Sequence, residues 1–202
     1  MINQNFGILA SISWNSHSWM DKLTEEDIDK SKFKWVVENR RSYDDLNFGQ
    51  ETYPPEADGY YLGHSPQLSP PPVYENSKFV EIVFFKSFNY HLKKNYIVGF
   101  YAFPEFKICQ RPQDHPTFSI VPSGNVKSKP ENIVLFENFV DLQDIDGILP
   151  NGRKLGQMGF NYLLFSNVLK ILDRASNTNP GLKEIKSLKL DFFLFAPFLS
   201  YY

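Results

Sequence analysis

The sequence has one cysteine and no long apolar run, and both scarcities limit the class of protein. Cys109 is the single cysteine of 202 residues, so no disulfide forms within the chain. No basic segment followed by an apolar one opens the sequence, which together with the single cysteine predicts a reducing, cytoplasmic setting. The most apolar stretch, residues 192–202, is about half the roughly 20 residues of a membrane helix, so no membrane partner is expected.

Motifs of nucleotide-hydrolysing and zinc enzymes are also missing from the sequence. Residues 152–156, Gly-Arg-Lys-Leu-Gly, lack the spacing and the Lys-Ser or Lys-Thr pair of a phosphate-binding loop. The histidines stand in no H-E-x-x-H motif and beside no C-x-x-C motif, so zinc has no recognisable ligands. Cys109 follows an apolar residue at the end of a predicted strand and is not expected to act as a nucleophile. We therefore expect no catalytic residue, no metal and no cofactor.

The composition that remains is that of a folded domain with an uneven charge. Apolar residues make up 42% of the chain and aromatic residues 16%, enough for one substantial core. The net charge is −2, but residues 1–60 carry 6 basic and 11 acidic groups, whereas residues 61–202 carry 15 and 12. A polyanion site is therefore expected to be a local patch.

The clearest secondary-structure signal is a hairpin within residues 78–106. Its two strands, residues 79–85 and 96–103, are rich in β-branched and aromatic residues. The segment between them is basic, and we expect Lys86, Lys93 and Lys94 to lie around the connection.

Further elements are predicted along the chain. Residues 6–13 read as a first strand, and Thr24 as the N-cap of a helix that runs toward Val37. Residues 42–76, with six prolines and several aromatic residues, predict a long ordered loop. The remaining predictions are strands at residues 117–121 and 133–140, a turn-rich connection at 141–153, a buried helix from Phe160 to about residue 177, and a second amphipathic stretch beyond Gly181.

Three of these segments resemble the PUA-like superfamily. The hairpin ends its first strand in Phe-Phe and continues, after a polar loop, with Ile-Val-Gly and then Glu105. Residues 8–19, ILASISWNSHSW, are similar to a first strand and its pocket-forming exit, and residues 156–162 read Gly-Gln-Met-Gly-Phe-Asn-Tyr. Within the superfamily the chain resembles EVE and YTH modules and the N-terminal specificity domains of archaeal McrB-type modification-dependent restriction proteins, over roughly residues 5–175.

The resemblance implies a fold, a domain division and a function. The implied fold is α+β, a PUA-like (EVE/YTH-like) twisted β-barrel with flanking helices. Residues 1–180 would be the nucleic-acid recognition domain, and residues 181–202 an extension or a linker to a following motor domain of the same polypeptide. The implied function is non-catalytic recognition of a modified, flipped-out base, as the specificity domain of a McrB-type restriction motor.

A pocket for an extruded base needs flat apolar walls and a few polar groups for the base edge. By position, the resemblance assigns Ser13, Trp14, Asn15 and Ser16 to the strand exit of such a pocket. The second wall stays open among Trp19, Trp35 and Tyr61. Trp35, next to two valines, is more readily interpreted as a core residue. Phosphate contacts are expected from Lys86, Lys93 and Lys94, with support from Arg40, Arg41, Lys127, Lys129, Arg153 and Lys154.

Three alternatives remain open from the sequence. The ligand is DNA or RNA, because recognition of the 2′-hydroxyl leaves no sequence signature. The chain is alternatively an RNA-binding PUA-like module, or a protein-interaction domain without a base pocket. The acidic first third and the apolar end of the chain favour the interaction domain. An enzyme acting on a small molecule ranks last.

Overall fold

The computed structural model describes residues 5–68, 80–110, 124–148 and 159–195, and these form a mixed α+β fold. The predicted α+β class is thereby confirmed. The predicted strand at residues 117–121, the motif residues 156–158 and the basic residues 153 and 154 lie outside the described residues. The strands are β1 (Asn5–Ile12), β2 (Tyr61–Gly63), β3 (Ile82–Asn89), β4 (Lys94–Ala102), β5 (Glu105–Cys109), β6 (Gly124–Ser128), β7 (Ile133–Asp141) and β8 (Phe160–Leu164); the helices are α1 (Glu25–Lys30), α2 (Lys34–Asn39), α3 (Phe165–Thr178) and α4 (Lys183–Phe195).

The larger sheet has five strands in the order β7-β4-β3-β1-β8. Strands β1 and β3 are parallel, and the other neighbours are antiparallel. The predicted hairpin is present as β3 and β4, but its strands extend farther into the basic segment than expected. Lys86 therefore lies inside β3, and Lys94 is the first residue of β4.

Successive side chains of a strand point to opposite faces of the sheet, and both faces of this sheet are buried in core clusters. Leu9, Phe84 and Phe100 pack in one core cluster with α3 and α4. Ile8 and Phe85 belong to a second cluster on the other face, with Trp19, Phe48 and Tyr61 from the long connection and Val126 from β6. Helices α3 and α4 thus pack on one side of the sheet, and the connection with a small second sheet packs on the other.

The small sheet has three strands in the order β2-β6-β5. No strand pairing joins this sheet to the five-stranded sheet within the described ranges, so these strands do not close into a barrel. The structure therefore supports the coarser α+β class. The same part of the chain contains no helix long and apolar enough to span a membrane.

The predicted first helix begins where expected but is divided in two. Thr24 Oγ1 accepts a hydrogen bond from the Asp27 amide, and the Asp27 carboxylate accepts one from the Thr24 amide, each at 3.1 Å. This capping box opens α1, as predicted. Ser31 ends α1, and α2 follows and ends at Arg40, which has a left-handed φ of +53°.

The prediction of a helix from Phe160 is wrong for its first turn. Residues 160–164 form β8, which pairs antiparallel with β1, and α3 begins at Phe165. The predicted end near residue 177 is confirmed, because α3 ends at Thr178. The amphipathic stretch after Gly181 is α4, whose Ile185, Leu188 and Phe192 are buried in the same core cluster as α3.

Candidate nucleic-acid interface

The chain that leaves β1 is held by hydrogen bonds to loop residues. The Ser13 amide donates to Asp44 Oδ2 at 2.8 Å. The Asn15 side-chain nitrogen donates to the carbonyl oxygens of Asp21 (2.7 Å) and Asp45 (3.4 Å), and its oxygen accepts from the His17 amide. Ser13 and Asn15 are buried. These two residues were predicted to read a base edge, but in this structure they fix the strand exit.

Ser16 is exposed and is bound to Asp27 at the start of α1. Its amide donates to Asp27 Oδ2 at 3.0 Å, and its hydroxyl donates to Oδ1 at 2.7 Å. The Tyr90 hydroxyl, from the β3–β4 turn, also donates to Oδ1 at 3.0 Å. Burial works to raise the pKa of Asp27, but the hydrogen bonds from Ser16 and Thr24 outweigh it and hold the pKa below its ordinary value. Asp27 thus joins the strand exit, α1 and the hairpin turn.

Two further carboxyl groups are buried under the strand exit. Burial raises the pKa of Asp44 to about 6, against hydrogen bonds from Ser42 and Ser13. Burial and then the charge of Asp44 raise the pKa of Asp45 to about 8. Within the described ranges no three His, Cys, Asp or Glu side chains are arranged to hold a metal ion. Asp27 and Asp44 therefore act as hydrogen-bond acceptors that hold the strand exit in place.

Trp14 and Trp19 belong to one aromatic cluster with Phe139. The Trp14 ring meets the rings of Trp19 and Phe139 edge to face at centroid distances of 5.7 and 5.9 Å. Trp19 is fully buried, and Trp14 is half-buried. Trp14 therefore keeps part of its surface open to a ligand, whereas Trp19 does not.

Tyr61 is fully buried in the second core cluster, and its hydroxyl donates to the Leu46 carbonyl oxygen. A base stacks only on a ring that has an open face. In this structure neither Tyr61 nor Trp19 offers one, so neither is a wall of an open pocket.

Trp35 is the predicted wall residue that lies at the surface, with 42% of its area exposed. Its interpretation as a core residue is wrong, because it is the neighbouring Val36 that is buried. The ring lies against that of Tyr43 at 5.1 Å and an interplanar angle of 35°. Tyr43 in turn contacts the His64 ring edge to face at 5.3 Å. Three rings from α2, the loop and the end of β2 thus form one surface group.

The Arg41 guanidinium lies beside this group, 5.7 Å from the ring centroids of both Trp35 and Tyr43. Its Nε is buried and has no hydrogen-bond partner among the described residues. We call Trp35, Tyr43, His64 and Arg41 the aromatic platform. A guanidinium at this distance from two aromatic rings interacts favourably with both and keeps its positive charge for a ligand.

Lys86 is a buried cation without a carboxylate partner in the described part of the chain. It is 5% exposed, and burial followed by the charge of Lys32 lowers its pKa to about 8. Lys32 lies at the surface, with its Nζ 3.1 Å from the Phe88 ring centroid. Two neighbouring positive charges that form no ion pair with the described residues favour the binding of an anion.

The two lysines and the aromatic platform lie at the same end of the five-stranded sheet. Lys86 is paired in register with Ser11, near the end of β1. The Ser65 hydroxyl, next to His64 of the platform, donates to the Ser11 carbonyl oxygen at 3.3 Å. Lys32 comes three residues before Trp35. The end of β1 is therefore next to Lys86 on one side and to the aromatic platform on the other.

Several other predicted cations are already paired. Lys94 binds Asp141 at 2.6 Å, and Lys127 binds Asp58 at 2.5 Å. Arg40 bridges Glu25 and Asp29 of α1. Lys93 is exposed in the hairpin turn, with a left-handed φ of +53°. Of the three lysines predicted to contact phosphate, Lys86 and Lys93 thus remain outside the ion pairs that the described residues form.

Sequence reasoning missed Lys32, Tyr43 and His64, which complete this surface. Tyr43 is one of the aromatic residues in the predicted ordered loop at residues 42–76, but its contact with Trp35 depends on how that loop folds. Lys32 had no signal beyond its charge. The sequence offered no spacing that would have linked either residue to the site.

Comparison with known proteins gave no match: no family model, no curated protein and no solved structure is significantly similar to this chain.

Proposed function

We propose that the protein is a non-catalytic nucleic-acid-binding module that stacks a base on the aromatic platform and holds phosphate with Lys86, Lys32 and Lys93. The observation that carries the proposal is the exposed Trp35 ring, which Tyr43 supports from one side and Arg41 flanks. Such rings provide about 1–3 kcal/mol per stacked base, whatever the base.

The charge distribution supports the proposal in spite of the net charge of −2. Arg41 and Lys86 have no carboxylate partner within the described ranges, whereas Arg40, Lys94 and Lys127 do. A cation that the protein leaves unneutralised gains most from a phosphate, because no internal ion pair is broken on binding. We therefore assign nucleic-acid binding to the local patch that contains Arg41 and Lys86, and not to the net charge of the protein.

The more specific proposal is that the module is PUA-like and reads a modified, flipped-out base for a McrB-type restriction motor. It is supported by the strand-exit, Ile-Val-Gly and Gly-Gln-x-Gly-Phe-x-Tyr sequences and by the half-buried Trp14. A flipped base also needs a second aromatic surface. Trp14 and Trp35 are the tryptophans whose side chains are partly exposed. We therefore propose these two as the aromatic surfaces that hold the base, in place of Trp14 with Trp19 or with Tyr61.

Fluorescence anisotropy with labelled single-stranded DNA, duplex DNA and RNA, each with and without methylated bases, tests this function. Trp35→Ala should weaken binding of the preferred strand by about 5- to 150-fold, the equivalent of about 1–3 kcal/mol. Met20→Ala is the matched control, because Met20 is also 42% exposed but lies outside the platform. The proposal is wrong if none of the nucleic acids binds in a salt-dependent manner, or if both variants bind like the wild type.

A further inference from the structure

A groove opens between α4 and the ends of β4 and β7, on the helical side of the large sheet. It has a volume of about 140 Å³. Phe100, Val134 and Leu188 form its apolar floor. The groove is separate from the aromatic platform and has no part in the proposed nucleic-acid binding.

Three carboxylates surround this apolar floor. Glu184 and Asp191 come from α4, and Glu131 comes from the turn before β7. Positions 184, 188 and 191 share one face of α4, because residues three, four and seven apart lie on the same side of a helix. No ion pair joins any of the three carboxylates to a basic residue of the described ranges, and Lys189 of the same helix is paired with Asp173.

Phe103 lines the same groove in an uncommon backbone conformation. Its φ is +49°, and its ring is 37% exposed and packs edge to face on Phe192 at 5.8 Å. A non-glycine residue in the left-handed region carries a conformational cost. The result is an aromatic ring placed beside carboxylates, which is a favourable environment for an organic cation.

We infer that this groove binds one lysine or arginine side chain that a partner protein presents. The three carboxylates complement its charge, and the apolar floor and Phe103 accommodate its aliphatic stem. A cavity near 150 Å³ holds a group the size of benzene, whereas sites for drug-sized ligands span about 300–1,000 Å³. The groove therefore fits a single side chain better than a free cofactor.

The exposed apolar surface at the end of α4 favours a polypeptide as the partner. Leu194 lies three residues after Asp191, on the continuation of the same helix face, and is 62% exposed; Leu190, one turn before it, is 61% exposed. An isolated small cation would leave this apolar edge uncovered. A peptide that inserts its basic side chain in the groove covers the edge with a flanking apolar residue.

NMR titration of the full chain tests the inference with side-chain mimics. We expect n-butylguanidinium to shift the amide resonances of residues 103, 131, 184, 187 and 191, and equal concentrations of n-butanol and butyrate to shift them several-fold less. A peptide with one arginine followed three residues later by leucine should bind at least tenfold more tightly than n-butylguanidinium. Glu184→Gln combined with Asp191→Asn should weaken both interactions at least fivefold. The control is Glu51→Gln combined with Glu137→Gln, an equal charge change at exposed sites away from the groove.

Three results would overturn the inference. Shifts of equal size with n-butanol, or shifts spread over the acidic surface, would mean that the groove does not recognise a cation. A peptide that binds no more tightly than n-butylguanidinium would make the groove a site for free amines. Dependence of the same resonances on protein concentration without ligand would identify a second copy of this chain as the occupant. Each result is independent of nucleic-acid binding at Trp35.

Discussion

The indole nitrogen of Trp19 donates a hydrogen bond to the Ser13 carbonyl oxygen at 2.8 Å, and both residues are buried. Trp19 has a left-handed φ of +56°, so the chain turns back sharply between the two residues. The ring and its hydrogen bond hold the strand exit in place. Trp19 therefore acts as a structural brace for the segment in which a base-reading residue was expected.

Trp19→Phe keeps an aromatic ring but leaves the Ser13 carbonyl oxygen without its donor. We expect the free energy of unfolding to fall by about 1–3 kcal/mol, the cost of an unsatisfied buried polar group. Trp19→Ala should lower it by about 3–5 kcal/mol because it also leaves a cavity. Urea unfolding followed by circular dichroism measures both. If Trp19→Phe retained full stability but bound nucleic acid more weakly, Trp19 would be a ligand contact and not a brace.

Local sequence signals predicted the elements whose residues interact with near neighbours. The alternation in β1 and in the hairpin, the capping box at Thr24 and the apolar spacing in α3 each reflect contacts within a few residues. Residues 160–164 were misassigned because Phe160 and Leu164 fit a helical spacing. Pairing with β1, 150 to 159 residues earlier in the chain, makes them a strand.

The candidate site was harder to predict because its contacts join distant segments. Ser13 and Asp44, whose hydrogen bond fixes the strand exit, are 31 residues apart. Asp44 lies in a loop whose fold no local pattern specifies, so its burial under Ser13 had no sequence signal. The aromatic character of the site was predictable, but which rings remain exposed is decided by tertiary packing.

Gly99, in the Ile-Val-Gly motif, is a position where any side chain should be destabilising. A Cβ at this position would lie 2.2 Å from the Val134 carbonyl oxygen and 2.7 Å from the Phe48 ring. Gly99→Ala should therefore lower the free energy of unfolding by about 1–3 kcal/mol through strand displacement. Gly181→Ala is the control, because a Cβ there meets no atom within 4 Å. Equal denaturation midpoints for the two variants would contradict the prediction, because they would mean that β4 and β7 can move apart without lowering the free energy of unfolding.

Asp45→Asn should change how stability depends on pH. The pKa of Asp45 is raised from 3.8 to about 8 in the folded state, chiefly by burial. Between these values the folded protein holds a proton that the unfolded chain has lost. The free energy of unfolding thus falls as pH rises, by up to about 1.4 kcal/mol per pH unit for this group. This stabilisation is complete below about pH 4 and is lost as pH rises through 8.

We therefore expect Asp45→Asn to have nearly the wild-type melting temperature at pH 4.5 and a higher one at pH 9. Thermal unfolding followed by circular dichroism at pH 4.5, 7 and 9 measures the difference. Asp146→Asn, at an exposed position, should follow the wild type throughout. A constant offset between Asp45→Asn and the wild type at all three pH values would contradict the proton-linked explanation.

Lys86→Met should stabilise the protein and weaken nucleic-acid binding at the same time. Burial, then Lys32, lowers the pKa of Lys86 from 10.5 to about 8 in the folded state. Below pH 8 the folded protein carries a buried charge with no carboxylate partner in the described ranges, and this cost disappears as pH rises from 8 to 10.5. Methionine fills a similar volume without charge. The melting temperature should therefore rise by several degrees at pH 7, and the gain should vanish above pH 10.5.

The same Lys86→Met substitution removes a cation that we assign to phosphate. Affinity for the preferred strand should fall about equally for all sequences, and the slope of log affinity against log salt should decrease by about one. Lys186→Met, which removes an exposed charge from α4 on the helical side of the large sheet, should leave both quantities unchanged. A variant that is less stable and binds as the wild type does would assign Lys86 to the core. A variant that is more stable and has a reduced salt slope would show that the chain keeps a destabilising buried lysine for its ligand.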